Sequence, residues 1–149
     1  MVDNWLSELT DEVTKQMLFS VIEKKEKWER LKIKVKVLQV FTSVGFAVFF
    51  IYIVWKLIIP NETITSVTAA FLGRLEHLYI LLLLFTSYGG ILFYKNKCDK
   101  AEGEFHALRC EIIQKSADLW RGEQEWNERH KWFEIMKTKY GINLFYENS

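Results

Sequence analysis

The chain has 149 residues and a net charge of +1; half of its residues are hydrophobic, 15% are aromatic and 26% are charged. A near-neutral balance excludes the basic field of a nucleic-acid binder. One proline and seven glycines exclude a Pro/Gly-rich disordered chain, and two cysteines exclude a disulfide scaffold. The apolar residues gather into two blocks, which directs the reading to an all-α integral membrane hairpin with long cytoplasmic helices.

Residues 1–36 read as a cytoplasmic N-terminal helix. Thr10 offers a hydroxyl cap and Asp11 and Glu12 place acids in the first turn, so the helix starts near Asp11. Met17, Val21, Lys24, Trp28, Leu31, Val35 and Leu38 alternate at spacings of four and three, a heptad seam running into the first span. Val13, Leu18, Phe19 and Ile22 widen the apolar face at the far end.

Residues 37–55 are nineteen residues without a charge, roughly 28 Å of helix, and form transmembrane helix 1. Residues 56–77 are the extracytoplasmic connection: Pro60 makes the turn, Asn61-Glu62-Thr63 is a glycosylation sequon, and the uncharged stretch from Thr63 to Gly73 opens the second helix early. Residues 78–94, seventeen without a charge, form transmembrane helix 2.

Residues 95–140 keep a seam through Cys98, Ala101, Phe105, Leu108, Ile112, Lys115, Leu119, Gly122, Trp126, Arg129, Phe133, Met136 and Tyr140. The phase holds across Gly122, which predicts one long cytoplasmic helix ending at Tyr140, with Gly141 as its C-terminal cap and Lys137 and Lys139 in its last turn. Residues 141–149 are the tail. The N-terminal and C-terminal helices leave the same side of the membrane and are expected to pair as an antiparallel, coiled-coil-like stalk.

Lysines and arginines set the orientation. Lys24, Lys25, Lys27, Arg30, Lys32, Lys34 and Lys36 precede the first span and Lys95, Lys97 and Lys100 follow the second, against Lys56 and Arg74 between them. The positive-inside rule puts both termini in the cytoplasm, in a multi-pass protein of the bacterial inner membrane. Lys27, Arg30, Lys32, Lys34 and Lys36 are also candidate contacts for anionic lipid. Within the spans no residue is ionisable, which disfavours proton-coupled transport. Ser43 and Ala47 in the first span, and Thr86, Gly89 and Gly90 in the second, are the small residues expected at the span–span contact.

By length the C-terminal helix outruns its partner beyond about Trp120, since 46 residues make roughly 69 Å of helix and 26 make roughly 39 Å. Trp126, Arg129, Phe133 and Met136 would then form an exposed strip, read as an interface with a second copy, a dimer being favoured, or with a cytoplasmic protein partner. The alternative is that Trp5, Leu6 and the Ile142–Tyr146 tail fold over the strip within one chain. Arg129 is placed to stack on a neighbouring ring. Glu102, His106 and Cys110 share a helix face, but consecutive turns span too far for one ion without a partner helix, so no metal or other cofactor is expected. No nucleotide-binding or hydrolase motif occurs, and no enzyme activity is expected.

Asp3-Asn4-Trp5-Leu6 and the Glu23-Lys24-Lys25-Glu26-Lys27-Trp28 run resemble the YpbF-like proteins, small two-span firmicute membrane proteins. The resemblance implies a bacterial membrane protein and assigns no site residue. In architecture the chain is also similar to the SLATT proteins of bacterial conflict systems, which implies an oligomeric pore lined by hydroxyl faces. The reading preferred here is a self-associating scaffold or adaptor acting through its cytoplasmic helices; a pore-forming effector is the alternative.

Overall fold

The computed structural model describes residues 11–146. All regular structure among them is helical: α1 (Glu12–Ile53), a single π turn (Val54–Ile58), α2 (Ile64–Leu72), α3 (Leu75–Gln114), α4 (Ser116–Leu119) and α5 (Glu123–Tyr140). The chain divides into two compact units, one made of the chain up to Arg30 and from Asp99 onward, the other of Leu31–Cys98.

α1 starts where the acids predict. The Asp11 carboxylate accepts from the Thr14 hydroxyl at 2.7 Å and from the Thr14 backbone N–H at 3.0 Å. The hydroxyl, then the backbone N–H, hold the Asp11 carboxyl below the usual carboxylate range. Asp11 is thus the cap; Thr10, the cap expected from the sequence, lies outside the described residues.

In the Leu31–Cys98 unit the seam does not stop at Leu38. The same spacing continues through Thr42, Gly45, Phe49 and Tyr52, all buried or half-buried, while Phe41, Val44, Val48 and Phe50 face outward. On α3 the inward residues include His77, Leu84, Ser87, Ile91, Tyr94 and Cys98. A Cβ added to Gly90 would sit 3.5 Å from Leu38 Cδ2, and one added to Gly45 only 2.9 Å from Leu84 Cδ2. Gly45 therefore leaves room that the Leu84 side chain fills.

The π turn has a local cause. Counting on from Tyr52, the next seam position is Lys56. One extra residue in the turn, closed by Ile59 N–H onto Val54 O at 3.0 Å, makes Leu57 the buried residue and leaves Lys56 exposed. Asn61 Nδ2 then donates to Leu57 O at 2.8 Å, satisfying a terminal carbonyl as the chain turns at Pro60. The stretch from Thr63 to Gly73 is helical but is not the opening of α3. Thr63 caps α2 by accepting from Ser66 N–H, and α2 ends at Gly73, where an added Cβ would meet Ala69 O at 2.9 Å.

The single helix expected over 95–140 is overturned. α3 ends at Gln114, α4 lasts one turn, and Gly122 is extended (φ −78°, ψ 143°) before α5 begins. A heptad period reports which face is apolar; it does not report whether the axis continues. The start of α5 carries its own signature: Glu123 and Glu125 lie in its first turn, and Gly122 N–H donates to Glu125 Oε2 at 3.2 Å. At the other end Gly141 caps the helix as expected, at φ 63°, with Ile142 N–H on Met136 O at 2.9 Å.

Candidate functional site

The first unit encloses a buried hydrophobic core. Leu18, Val21 and Ile22 of α1 pack with Phe105 and Ile112 of α3, Leu119 and Trp120, Phe133 and Met136 of α5, and Ile142 and Leu144 of the tail. Phe133 meets Trp120 edge-on at 5.3 Å and Phe145 at 5.5 Å between centroids. The buried Thr14 hydroxyl lies 2.7 Å from the Asp11 carboxylate and 3.1 Å from Leu119 O, so its one proton is shared between the cap of α1 and the end of α4. Lys25 donates to Tyr140 O at 2.6 Å and Gly141 O at 2.8 Å, placing an ammonium on the C-terminal carbonyls of α5.

This arrangement corrects the expected interface strip. Phe133 and Met136 are 4% and 0% exposed, covered within the chain, because the break at Trp120–Gly122 lets α5 return onto the core. The wide apolar face of α1 is filled in the same way, with the tail contributing Ile142 and Leu144. Trp126 alone of the four stays substantially open, at 40% exposure. Arg129 is half-buried, its guanidinium 3.7 Å from the Trp126 ring centroid and 5.5 Å from that of Phe133.

The expected lipid contacts divide. Lys27 lies 4.0 Å from Glu104, which Lys24 reaches at 3.2 Å, and Arg30 bonds Glu26 at 3.0 Å. The Lys24 hydrogen bond and charge, with Lys27 beyond, hold the Glu104 carboxyl below its usual range. Lys32, Lys34 and Lys36 are exposed. His106 approaches Glu102 at 4.0 Å, while its ring lies against Phe105 and Trp28, at 5.1 and 5.9 Å between centroids.

The expected span contact is also corrected. Ser43, Ala47, Thr86 and Gly89 face outward, and only Gly90 of the five lies at the contact, against Leu38. The Thr86 hydroxyl donates to Leu82 O of its own helix at 2.8 Å. Small residues at four-residue spacing are a pattern many faces satisfy; the seam, carried one span further, selects Gly45, Phe49 and Leu84 instead.

One polar cluster was missed. His77 is 2% exposed, with Nδ1 3.0 Å from Phe71 O and Nε2 3.1 Å from the Tyr52 hydroxyl. A carbonyl only accepts, so Nδ1 donates to Phe71 O; in the neutral tautomer this requires, Nε2 accepts from the Tyr52 hydroxyl. The ring also stacks on Phe71, 5.3 Å between centroids. One imidazole thus joins α1, α2 and α3. The signal was present, since His77 falls in phase with Leu84, Ser87, Ile91 and Tyr94.

The family model described as a protein of unknown function, DUF2663, matches residues 17–147. The chain belongs to the DUF2663 family. The uncharacterized protein YpbF of Bacillus subtilis (strain 168) is 33% identical over 145 residues, covering 97% of this chain and 96% of that one. The resemblance seen in the sequence is therefore upheld over nearly the whole chain. No solved structure matches. The DUF2663 match takes in both units and every residue of the core cluster described above; Asp11 and Thr14 precede it.

Proposed function

We propose that this DUF2663 protein is a two-span integral protein of the cytoplasmic membrane, with both termini inside. It carries an antiparallel helical stalk and acts as a scaffold or adaptor, without catalysis. The observation that carries the membrane reading is where the apolar surface lies. Two helices, Glu12–Ile58 and Leu75–Gln114, are long and apolar enough to cross a membrane. In the Leu31–Cys98 unit Phe41, Phe50, Trp55 and Tyr79 are 65–72% exposed. Surfaces facing water do not carry so continuous an apolar belt, whereas acyl chains solvate it. The lysine distribution supports the orientation.

The scaffold reading draws on the other unit. α5 and the tail close the core within the chain and leave a fixed surface. On that surface a half-open tryptophan is braced by an arginine, the side chains most enriched where protein partners bind. A second copy or a cytoplasmic protein is the occupant. Both parts are tested by placing a reporter active only outside the cytoplasm near Asn61 and at each terminus, and by cross-linking through a cysteine at exposed Asn127. Activity near Asn61 alone, with a captured species, is expected. Reporter activity at the C-terminus would refute the two-span topology, and a chain that never cross-links in cells would refute the scaffold.

A further inference from the structure

Six lysines and arginines of the first unit lie within 4.0 Å of acids: Lys15 with Glu12, Lys24 and Lys27 with Glu104, Lys25 with Glu29, Arg30 with Glu26 and Lys115 with Glu111. Past Arg30 acids become scarce. Between Leu31 and Cys98 the only acids are Glu62 and Glu76, both far along the chain from Lys32, Lys34, Lys36, Lys95 and Lys97. All five lysines are exposed, and Lys34, Lys36 and Lys95 make no ion pair among the described residues.

These lysines also share a level. Gly45 lies against Leu84 and Leu38 against Gly90, so moving down α1 corresponds to moving up α3. From that last contact Lys36 is two residues on, about 3 Å, and Lys95 five residues on, about 7.5 Å. They do not form one face. Lys34 and Lys36 point about 200° apart on α1, as do Lys95 and Lys97 on α3. Exposed apolar residues alternate with them: Ile33, Val37, Val40, Leu92 and Phe93, with the Lys97 ammonium 4.4 Å from the Phe93 ring centroid. A soluble anionic partner would be met by a one-sided patch. A ring of exposed ammonium groups, each beside an outward apolar side chain, fits a ligand that surrounds the chain and carries a negative head on an apolar tail.

We propose that Lys34, Lys36, Lys95 and Lys97 form a collar that selects anionic glycerophospholipid headgroups from the surrounding bilayer, and that Lys27 and Arg30 are not part of it. The inference rests on the membrane reading above and changes the set of lipid-binding residues expected from the sequence. To test it, the full chain is reconstituted in vesicles of equal parts phosphatidylglycerol and phosphatidylcholine, floated, extracted in mild detergent, and its retained lipids are quantified. The wild type should retain phosphatidylglycerol over phosphatidylcholine by about fivefold or more, the factor corresponding to one lysine at an anionic surface. Joint Lys34→Gln, Lys36→Gln and Lys95→Gln substitution should return the ratio to that of the vesicles. Joint Lys27→Gln and Arg30→Gln should leave the enrichment in place. Extraction at raised salt should diminish the wild-type preference, which tests the collar without altering the chain or its insertion. A wild-type ratio equal to the starting mixture, a preference insensitive to salt, or one surviving the triple substitution would overturn the collar. A chain that fails to float with the vesicles would instead overturn the membrane reading.

Discussion

Phe133→Ala separates a core that closes within the chain from a strip held for a partner. The ring is 4% exposed and lies between Trp120, Phe145 and the Arg129 guanidinium. Truncating a buried phenylalanine costs about 3–5 kcal/mol, because the lost transfer energy is joined by a cavity that its neighbours fill only in part. Two edge-on ring contacts go with it, so the upper half of that range applies here. Much of this cost should fall on opening of α5, and hydrogen exchange reads that opening amide by amide. In lipid nanodiscs, protection over Glu123–Tyr140 should drop by roughly 10²-fold or more, limited by the free energy of opening α5 itself. Trp126→Ala is the comparison: that side chain is 40% exposed and loses mainly its contact with Arg129, about 1 kcal/mol. The particle mass should be the same for wild type and Phe133→Ala. Unchanged protection over α5 together with a lower mass would refute the argument, since Phe133 would then be covered by a neighbouring chain.

Three further perturbations test other elements. Gly45→Val should destabilise the contact between α1 and α3 by about 1–3 kcal/mol through overpacking, whereas Gly89→Val, with nothing within 4 Å of the new Cβ, should leave a thermal unfolding scan in detergent unchanged. Lys25→Met should loosen the end of α5 by about 1–2 kcal/mol, measured as faster exchange near Met136–Ile142 while exchange at the start of α1 is unaffected. The Asp11 carboxyl is held low by Thr14, so its stabilisation is complete above the ordinary carboxylate value of 3.8 and disappears as pH falls through the lower folded value. Acid titration followed by exchange in the first turn of α1 should show that loss in the wild type. Asp11→Asn, which still caps but does not titrate, should show none of it.

Much of the architecture was legible because its causes are local and repeated. Charge-free runs marked the apolar stretches, alternation of four and three marked the inward face, and Gly141 after a lysine-bearing turn marked the end of α5. What escaped were features in which two rules agree on the face and disagree on the path. Leu119, Gly122, Trp126, Arg129, Phe133 and Met136 stay in phase, yet the chain breaks between the first and third of them. The acids after Gly122 signalled a new helix start, and a period read alone outweighed them. In the apolar stretches the small-residue motif falls on Ser43 and Ala47, both outward, whereas the seam leads to Gly45. The π turn had no sequence signal of its own. It becomes intelligible only because regular spacing would place Lys56 inward.

The core of the first unit also has a history in time. Leu18, Val21 and Ile22 leave the ribosome early, and the residues that cover them, from Phe105 to Leu144, are made last. At about 5–20 residues per second, the interval between Ile22 and Leu144 is roughly 6–24 s. For that period the apolar face of α1 stands open while two long apolar stretches are being delivered behind it. A nascent chain in this condition is a ready client for chaperones. Every substitution that delays α5 in finding its place lengthens the exposure, whatever it does to the finished protein.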